Sequence, residues 1–523
     1  MGSVLGFSAP IFSSEMRVSQ SLKSGLHQAF EETSGPVERD ARLRSGTGRT
    51  LLGALSVSLL TGLSALLGFW RLSSKSLWLD EAWSVLISDG SWSEMWTTVT
   101  QGHAYQGFYY VLLHQWMELF GESEFAVRSL SVLFGAATIP VLYLLGKSLF
   151  GRTASLAACL VLALSAFFIR YQQEVRGYTV MLLLLTVSTY MLVKALRDSS
   201  LWPWSIYVVT SVLAVYTHLF SLWVLLIHFM VLVLVGANLK RLVLTYGLVA
   251  LGSSFMLRWL QTRGVLSPSW MPESPSIAYL TRKLRHLVFN ESVTVIAFAL
   301  VLATGIGMSI YYIARFGRSS WPVLLVLLWG TLPIAGTFIG SYIHPMLTAR
   351  YLIVAFPGLA LLAGWSIARL RPLIVRLLVM LVLVGAAAPA MVTWYSSPGH
   401  DWRGAVSHVL RHARPEDGVI AIRSQPWTYY SARLSGEGVI PHQINPRRMN
   451  QDDVQKYDRI WFLLKKRGES FAKHLLDASG MMRRRFHFGV PKGWLYEKPI
   501  RVYQKADGQV AHSSRTMHSV STQ

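Results

Sequence analysis

An acidic pair, Asp80-Glu81, lies just outside the first long apolar run of the chain, flanked by Trp78, Leu79 and Trp83. Burial beside apolar side chains makes a carboxylate a stronger base, which suits proton abstraction from an acceptor group. The pattern therefore predicts a general base at an outer membrane surface. A solvated pair at the interface is the alternative that the local residues leave open.

A second group of charges lies between two later apolar runs, in the stretch Arg170–Tyr178. Two arginines here lie on either side of Glu174 within seven residues. Arginine is suited to bidentate phosphate binding, and Glu174 is placed to hold Arg176 or to orient a substrate. A structural Arg–Glu pair at a helix end is the alternative interpretation.

A third group is the stretch His344–Tyr351, which contains Arg350. An arginine at the start of a helix is not favoured by the helix macrodipole, so the position indicates an anionic partner. Arg128 and His218 are predicted to lie on the same side of the membrane. Taken alone, His218 is more typical of a satisfied polar residue than of a catalyst.

The elements that must position these residues are apolar. The chain has 523 residues, is 52% hydrophobic and has a mean hydropathy of +0.38, which indicates a multi-pass membrane protein and excludes a soluble enzyme. Eleven runs are long enough to be membrane helices: 50–70, 127–146, 153–169, 178–196, 203–217, 219–238, 242–260, 290–314, 320–341, 351–368 and 374–395.

Lysine and arginine fall in alternate loops between these runs, as the positive-inside rule demands for a cytoplasmic N-terminus. The basic positions are Arg39, Arg42, Arg44, Arg49, Lys147, Arg152, Lys194, Arg197, Lys240, Arg241, Arg315, Arg318, Arg369, Arg371 and Arg376. Much of the net charge of +22 lies in these loops and in a basic C-terminal segment, and we assign it to contacts with anionic lipid head groups or a lipid phosphate rather than with nucleic acid. The three charged groups above then share the outer side.

The chain organisation follows from these runs and from a change of composition near residue 397. We predict a disordered cytoplasmic tail over 1–48 and a transmembrane domain over 49–396, whose first outer loop covers 71–126. An extracytoplasmic α/β domain over 397–505 and a disordered tail over 506–523 complete the prediction. The α/β prediction rests on alternating helical and extended patterns, with strands at Gly418–Ile422, Val439–Ile444 and Asp458–Leu464.

Several kinds of chemistry lack a signature here. The single cysteine, Cys159, excludes an intrachain disulfide, and the sequence has no Gly-rich phosphate loop, HExxH motif or Cys/His metal cluster. An enzyme at the outer face has no access to cytoplasmic nucleotide-activated donors. It would need a substrate delivered by lipid.

With these motifs in order, the chain resembles the GT-C superfamily of membrane glycosyltransferases, specifically the bacterial relatives of dolichyl-phosphate-mannose–protein mannosyltransferase. The resemblance runs from about residue 50 to 500. The matching segments are Leu79–Ala82, Phe108–Leu113 continuing to Phe120-Gly121, Ser123–Arg128, Tyr171–Tyr178, Tyr216–His218, Arg350–Leu352, Asp401–Ala405 and Arg414–Asp417.

The resemblance implies an inverting glycosyltransferase of the cell (inner) membrane that moves a monosaccharide from a polyprenyl-phosphate donor to a protein, lipid or glycan acceptor. Because the acidic pair is Asp-Glu and not Asp-x-Asp, and because a monophosphate leaving group needs less charge neutralisation, we expect no cofactor and no obligatory metal. The implied catalytic residues are Asp80, Glu81 and Glu174; the donor phosphate-binding residues are Arg176, Arg350 and Arg128; the substrate-binding residues are Tyr171, Tyr178, His218, His344, Tyr351 and His103.

Two other functions remain open at this stage. A ligase that uses polyprenyl-diphosphate-linked glycans shares the compartment and the arginine requirement. A secondary transporter is typically built from internal repeats and broken helices with ionisable residues near the bilayer midplane. The sequence shows none of these clearly, and it places its charges at the outer rim.

Overall fold

The computed structural model describes residues 46–198, 200–263, 276–397, 399–421, 424–445, 452 and 456–463. Helices dominate this part of the chain. They are α1 Gly46–Phe69, α2 Leu79–Ser88, α3 Trp92–Thr98, α4 Gly107–Phe120, α5 Glu124–Phe150, α6 Arg152–Ala163, α7 Ala166–Gln172, α8 Tyr178–Ala195, α9 Trp202–Thr217, α10 Ser221–Leu234, α11 Leu239–Gly252, α12 Ser254–Arg263, α13 Ile277–His286, α14 Ser292–Phe316, α15 Trp321–Gly340, α16 Phe356–Arg369, α17 Leu373–Ser396, α18 Trp402–His412 and α19 Ser424–Arg433.

Each of the eleven apolar runs lies on a helix or on two consecutive helices. By length and composition, six helical stretches of the described residues can cross a membrane, or seven if the bent pair α6 and α7 forms one span. One of the six, Ser292–Gly340, is 49 residues long. At 1.5 Å per residue it is more than twice the length that a bilayer core of about 30 Å requires, and α14 packs against α15. The total of eleven spans stays a prediction.

The bend within the third run is a feature that hydropathy does not reveal. Helices α6 and α7 are inclined to each other by 65°. The Ser165 hydroxyl accepts a hydrogen bond from the backbone N–H of Phe168 at 3.3 Å and so begins a new helix inside an apolar stretch. Arg170 and Tyr171 lie in the last turn of α7, after the bend.

Apolar helices differ in what they face. Helices α5, α8 and α16 are largely buried by their neighbours, whereas α1 and α17 expose much of their apolar surface. Leu59, Leu66, Leu377 and Leu381, for example, are all more than half exposed. A soluble protein does not tolerate so continuous an apolar surface, and a lipid environment accounts for it. The chain is a helical multi-pass membrane protein.

The described residues form two compact units. The first comprises the described residues up to Leu72 and Ile87–Ser396, and the second comprises Ser73–Leu86 and the described residues after Ser396. The second unit contains a three-stranded parallel sheet, β1 Gly418–Ala421, β2 His442–Gln443 and β3 Ile460–Leu463, in the order β2-β1-β3. The small α/β region predicted after the last apolar run is confirmed.

Asp417 stabilises this sheet at the start of β1. Its carboxylate accepts hydrogen bonds from the backbone N–H of Arg414 at 3.0 Å and from the Trp461 indole at 2.8 Å, and it lies 3.6 Å from the Arg459 guanidinium. The motif Arg414–Asp417 thus forms a turn that joins β1 to β3. The predicted helix and extended stretch after residue 468 lie outside the described residues.

Candidate active site

A tight turn connects α7 to α8 and carries the motif Tyr171–Tyr178. The turn is compact because Gly177 has no side chain: a Cβ there would come within 3.0 Å of Thr217 and 3.1 Å of Tyr109. Glycine at this position therefore lets α8 begin directly beside α4 and the end of α9. Because Tyr109 belongs to the Phe108–Leu113 motif, its close approach to Gly177 brings that motif against the turn.

Glu174 is the buried acid of this turn, with a relative exposure of 4%. Its Oε1 accepts a hydrogen bond from Nε of Arg170 at 3.1 Å, one helical turn earlier. The Arg170 guanidinium also lies 5.6 Å from the ring centre of Tyr171 and 5.5 Å from that of Trp394. Glu174 is thus held by an arginine that is itself stacked on aromatic rings.

Aromatic side chains connect the turn to two other elements. Tyr171 contacts Tyr178 edge to face, with ring centres 4.9 Å apart, and Tyr178 lies 5.5 Å from His218. His218 in turn contacts Tyr351 at 5.3 Å. The structure therefore brings together four of the residues that sequence analysis proposed for substrate binding, from α7, α8, the turn after α9 and the 3-10 segment Ala349–Ala355.

His218 is a neutral residue in this cluster. Burial, and after it the nearby cations Arg176 and Arg350, together lower its pKa to about 3. Its Nδ1 accepts a hydrogen bond from the backbone N–H of Phe220 at 3.2 Å. The remaining ring nitrogen, Nε2, therefore carries the proton and is a hydrogen-bond donor.

Arg176 and Arg350 are the two cations of the cluster. Both lower the pKa of His218, and the Arg350 guanidinium lies 5.6 Å from the Tyr351 ring centre. Tyr178 is 1% exposed, and its hydroxyl has no hydrogen-bond partner among the described residues. A buried hydroxyl without a partner carries a desolvation cost unless a ligand or a water molecule forms a hydrogen bond with it. We call Tyr171, Glu174, Arg176, Tyr178, His218, Arg350 and Tyr351 the rim cluster.

Sequence analysis missed a basic helix beside the rim cluster. Burial lowers the pKa of Lys283 on α13, and the nearby cations Arg282 and Arg350 lower it as well. Tyr279 on the same helix donates a hydrogen bond from its hydroxyl to the Leu347 carbonyl at 3.2 Å, which ties α13 to the segment that carries Arg350. The basic sequence Arg282–His286 was the available signal.

Three further residues that sequence analysis proposed for the site are not among the rim cluster contacts described above. Arg128 is buried and donates a hydrogen bond to the Leu72 carbonyl at 2.9 Å, so it holds the chain where it leaves α1. His344 follows the end of α15, where its backbone N–H donates to the Gly340 carbonyl at 2.9 Å. His103 ends the π-helical turn Val99–His103, and its side chain lies outside the described part of the chain.

The acidic pair belongs to the second unit and lies in the first turn of α2. Glu81 is 1% exposed, and its Oε2 accepts a hydrogen bond from the backbone N–H of Trp78 at 3.1 Å. This contact caps the start of the helix. Asp80 is partly exposed, and its carbonyl accepts a hydrogen bond from the Ser84 hydroxyl at 2.9 Å. The two carboxylates are therefore not equivalent.

Comparison with known proteins finds a family model that matches one segment of the chain and solved structures that share its fold. A family model described as dolichyl-phosphate-mannose-protein mannosyltransferase matches residues 108–259. This segment contains the Tyr171–Tyr178 turn, Arg128 and His218. No curated protein matches the chain by sequence.

Solved structures match over most of the chain. ArnT from Cupriavidus metallidurans bound to undecaprenyl phosphate aligns with a TM-score of 0.55 and 13% identity, over 88% of this chain and 99% of that one. Its apo form gives 0.54 and 14%, over 86% and 97%. An oligosaccharyltransferase from Archaeoglobus fulgidus, in complex with Zn and sulfate, gives 0.50 and 13%, over 78% and 68%. The resemblance predicted from the motifs is confirmed: the chain has the fold of the GT-C superfamily of membrane glycosyltransferases.

Proposed function

We propose that this protein is an inverting glycosyltransferase that transfers a monosaccharide from a polyprenyl-phosphate donor to an acceptor on the extracytoplasmic side of the membrane. The rim cluster is the observation that carries this proposal. Two arginines, a buried acid held by Arg170 and a buried tyrosine hydroxyl meet at the ends of several apolar helices. Such a site suits a polar head group on an apolar chain.

The donor class has independent support. The ArnT structure that shares this fold was solved with undecaprenyl phosphate, and nearly all of that chain is covered by the alignment. In this chain, Arg176 and Arg350 supply the fixed positive charge that a lipid monophosphate requires. Arg128, which is buried against the Leu72 carbonyl, is the third proposed phosphate contact.

The reaction needs one nucleophilic displacement. The acceptor oxygen or nitrogen attacks the anomeric carbon, the bond from that carbon to the phosphate oxygen breaks, and polyprenyl phosphate leaves with the bonding electrons. Asp80 accepts the proton that the acceptor loses. Arg176 and Arg350 stabilise the charge that develops on the leaving phosphate. A single displacement inverts the anomeric configuration.

The remaining rim residues bind and orient the sugar. The Nε2–H of neutral His218 and the Tyr178 hydroxyl offer hydrogen bonds to sugar hydroxyls without adding charge. Tyr171 and Tyr351 provide aromatic faces beside them. Glu174 positions this group through its contact with Arg170, and His344 and His103 are proposed on the substrate path.

The proposed setting is the inner membrane, with the N-terminus in the cytoplasm and residues 397–505 outside. Membrane lipids are the surroundings of the apolar helices, and the acceptor is a protein, a lipid or a glycan. The transmembrane domain over 49–396 then binds the donor. No nucleic acid partner is proposed, because the basic loops are assigned to anionic lipid.

The test is an incubation of purified protein with a panel of radiolabelled polyprenyl-phosphate monosaccharides. Release of polyprenyl phosphate is measured for the wild type, for Asp80→Asn and for Glu118→Gln. Glu118 is an exposed carboxylate of the first outer loop, paired with His114, and provides the matched control. We expect release by the wild type and the control.

Loss of about two to four orders of magnitude in the Asp80→Asn rate is the expected result for removal of a general base. Wild-type turnover by Asp80→Asn would contradict the assignment of the base. Release only from diphosphate-linked glycans would replace the proposed donor with that of a ligase.

A further inference from the structure

The segment Ser73–Leu77, which precedes the acidic pair, is held by residues more than three hundred positions later in the chain. The Tyr430 hydroxyl accepts a hydrogen bond from the backbone N–H of Leu77 at 2.6 Å. The Arg403 guanidinium donates to the Ser73 carbonyl at 3.0 Å, and the backbone N–H of Arg403 donates to Oγ of Ser76 at 3.1 Å.

Asp401 completes this set of contacts. Its Oδ1 accepts hydrogen bonds from the Gly404 backbone N–H at 2.9 Å and from the Ser76 hydroxyl at 3.4 Å. One carboxylate thus caps α18 and holds the outer segment. Gly404 is required for this geometry, because a Cβ there would come within 2.3 Å of Asp401 Oδ2.

The contact between Tyr430 and Leu77 is buried. Leu77 is fully buried, and Tyr430 is 3% exposed. Water therefore has little access to replace the hydroxyl as the partner of the Leu77 N–H, and a buried backbone donor that loses its partner bears a desolvation cost. The Tyr430 hydroxyl is the critical atom of the contact.

The position of Leu77 is decisive for Asp80. Leu77 directly precedes Trp78, whose backbone N–H is capped by Glu81, and the helix that begins there carries Asp80 in its first turn. Fixing the backbone at residue 77 therefore fixes the direction from which α2 starts. A general base displaced by about 1 Å loses much of its effect.

We propose that Asp401, Arg403 and Tyr430 form a clamp that positions Asp80 for proton transfer. This inference rests on the proposed function of Asp80 as the base. It gives the α/β region a role in the reaction that acts through the backbone of the segment before Asp80. Tyr430 is a positioning residue, because it acts through the backbone of Leu77.

The test compares full-length Tyr430→Phe with the wild type in two measurements. Hydrogen exchange of peptides that contain Leu77 reports the clamp directly and needs no activity. Turnover of the polyprenyl-phosphate donor reports its consequence. Thr428→Ala is the matched control, because it removes a hydroxyl from the same helix that, among the described residues, donates its hydrogen bond to the Ser424 carbonyl of that helix.

We expect Tyr430→Phe to accelerate exchange at Leu77 on the order of fivefold, the ordinary worth of one hydrogen bond. The kcat should fall at least fivefold while the KM for the donor stays near the wild-type value. In the Asp80→Asn background, Tyr430→Phe should add no further loss, because the two residues act on one step.

Unchanged exchange in Tyr430→Phe would overturn the clamp whatever the activity. Accelerated exchange with an unchanged kcat would overturn its role in positioning Asp80. If no donor is turned over by the wild type, the proposed function fails, and the exchange comparison alone decides whether the clamp exists.

Discussion

At the scale of single residues, the acidic pair divides into two roles. The Glu81 carboxylate caps the first turn of α2 through the Trp78 N–H, and the side chain is almost fully buried. Asp80 is partly exposed in the same turn. Both residues were predicted to be catalytic, and we propose from these surroundings that Asp80 is the base and that Glu81 supports the helix start.

This division predicts different outcomes for two isosteric changes. Asp80→Asn should lower kcat by about two to four orders of magnitude with little change in thermal stability. Glu81→Gln keeps an oxygen that can accept from Trp78, so we expect a loss of less than about tenfold. Turnover and unfolding temperature are measured on both variants. A Glu81→Gln rate as low as that of Asp80→Asn would contradict the division.

His218 supplies a prediction about pH. Its pKa of about 3 in the folded protein lies below the ordinary 6.5, so between these values the unfolded chain binds more protons than the native one. The contribution of His218 is complete above pH 6.5, and stability decreases as the pH falls from 6.5 towards 3.

The measurement is thermal unfolding in detergent at pH 7.5 and pH 5. The decrease in unfolding temperature between the two should be smaller in His218→Gln than in the wild type, because glutamine does not titrate. Equal decreases in both proteins would show that His218 is not held neutral.

At the scale of elements, the turn between α7 and α8 depends on close packing at Gly177. Gly177→Ala places a methyl group within 3.0–3.1 Å of Thr217 and Tyr109, so the start of α8 must move. We expect a cost of about 1–3 kcal/mol in stability and a marked fall in turnover. Gly247→Ala is the control, because a Cβ at that helical glycine meets nothing within 4 Å. Wild-type turnover by Gly177→Ala would show that the turn does not set the site.

The sequence was sufficient for the apolar helices and for selecting the residues that the rim cluster brings together. Each apolar run found from hydropathy lies on a helix or on two consecutive helices. Hydropathy was sufficient here because a membrane span is defined locally, by its length and apolar content. The Tyr171–Tyr178 motif was found because its charges interrupt such runs.

What the sequence did not reveal depends on contacts between distant segments. The bend at Ser165 lies within a continuous apolar run, and the Leu77–Tyr430 hydrogen bond joins residues 353 positions apart. Lys283 was missed because its proximity to Arg350 results from the packing of α13 against the Leu347 segment. Neither hydropathy nor motif spacing contains such information.

At the scale of the whole molecule, the distribution of basic loops predicts the orientation. Residues of α19 should be accessible from outside the cell, and residues at the start of α11 should not. Cys159 is buried, so a Cys159→Ala background gives a protein without thiols. Thr428→Cys in this background should react with a membrane-impermeant maleimide on right-side-out vesicles, whereas Lys240→Cys should react only after permeabilisation. The reverse pattern would contradict the orientation.

Binding of a lipid monophosphate by Arg176 and Arg350 is the step on which the proposed chemistry most depends. The direct measurement is a titration of purified protein with fluorescent undecaprenyl phosphate, for the wild type and for the double variant Arg176→Gln/Arg350→Gln. The control is Arg241→Gln/Arg318→Gln, which removes the same charge from exposed positions of the predicted inner loops. We expect about 100-fold weaker binding in the rim variant and wild-type binding in the control. Equal affinities in the wild type and the rim variant would contradict the assignment of the donor phosphate to this site.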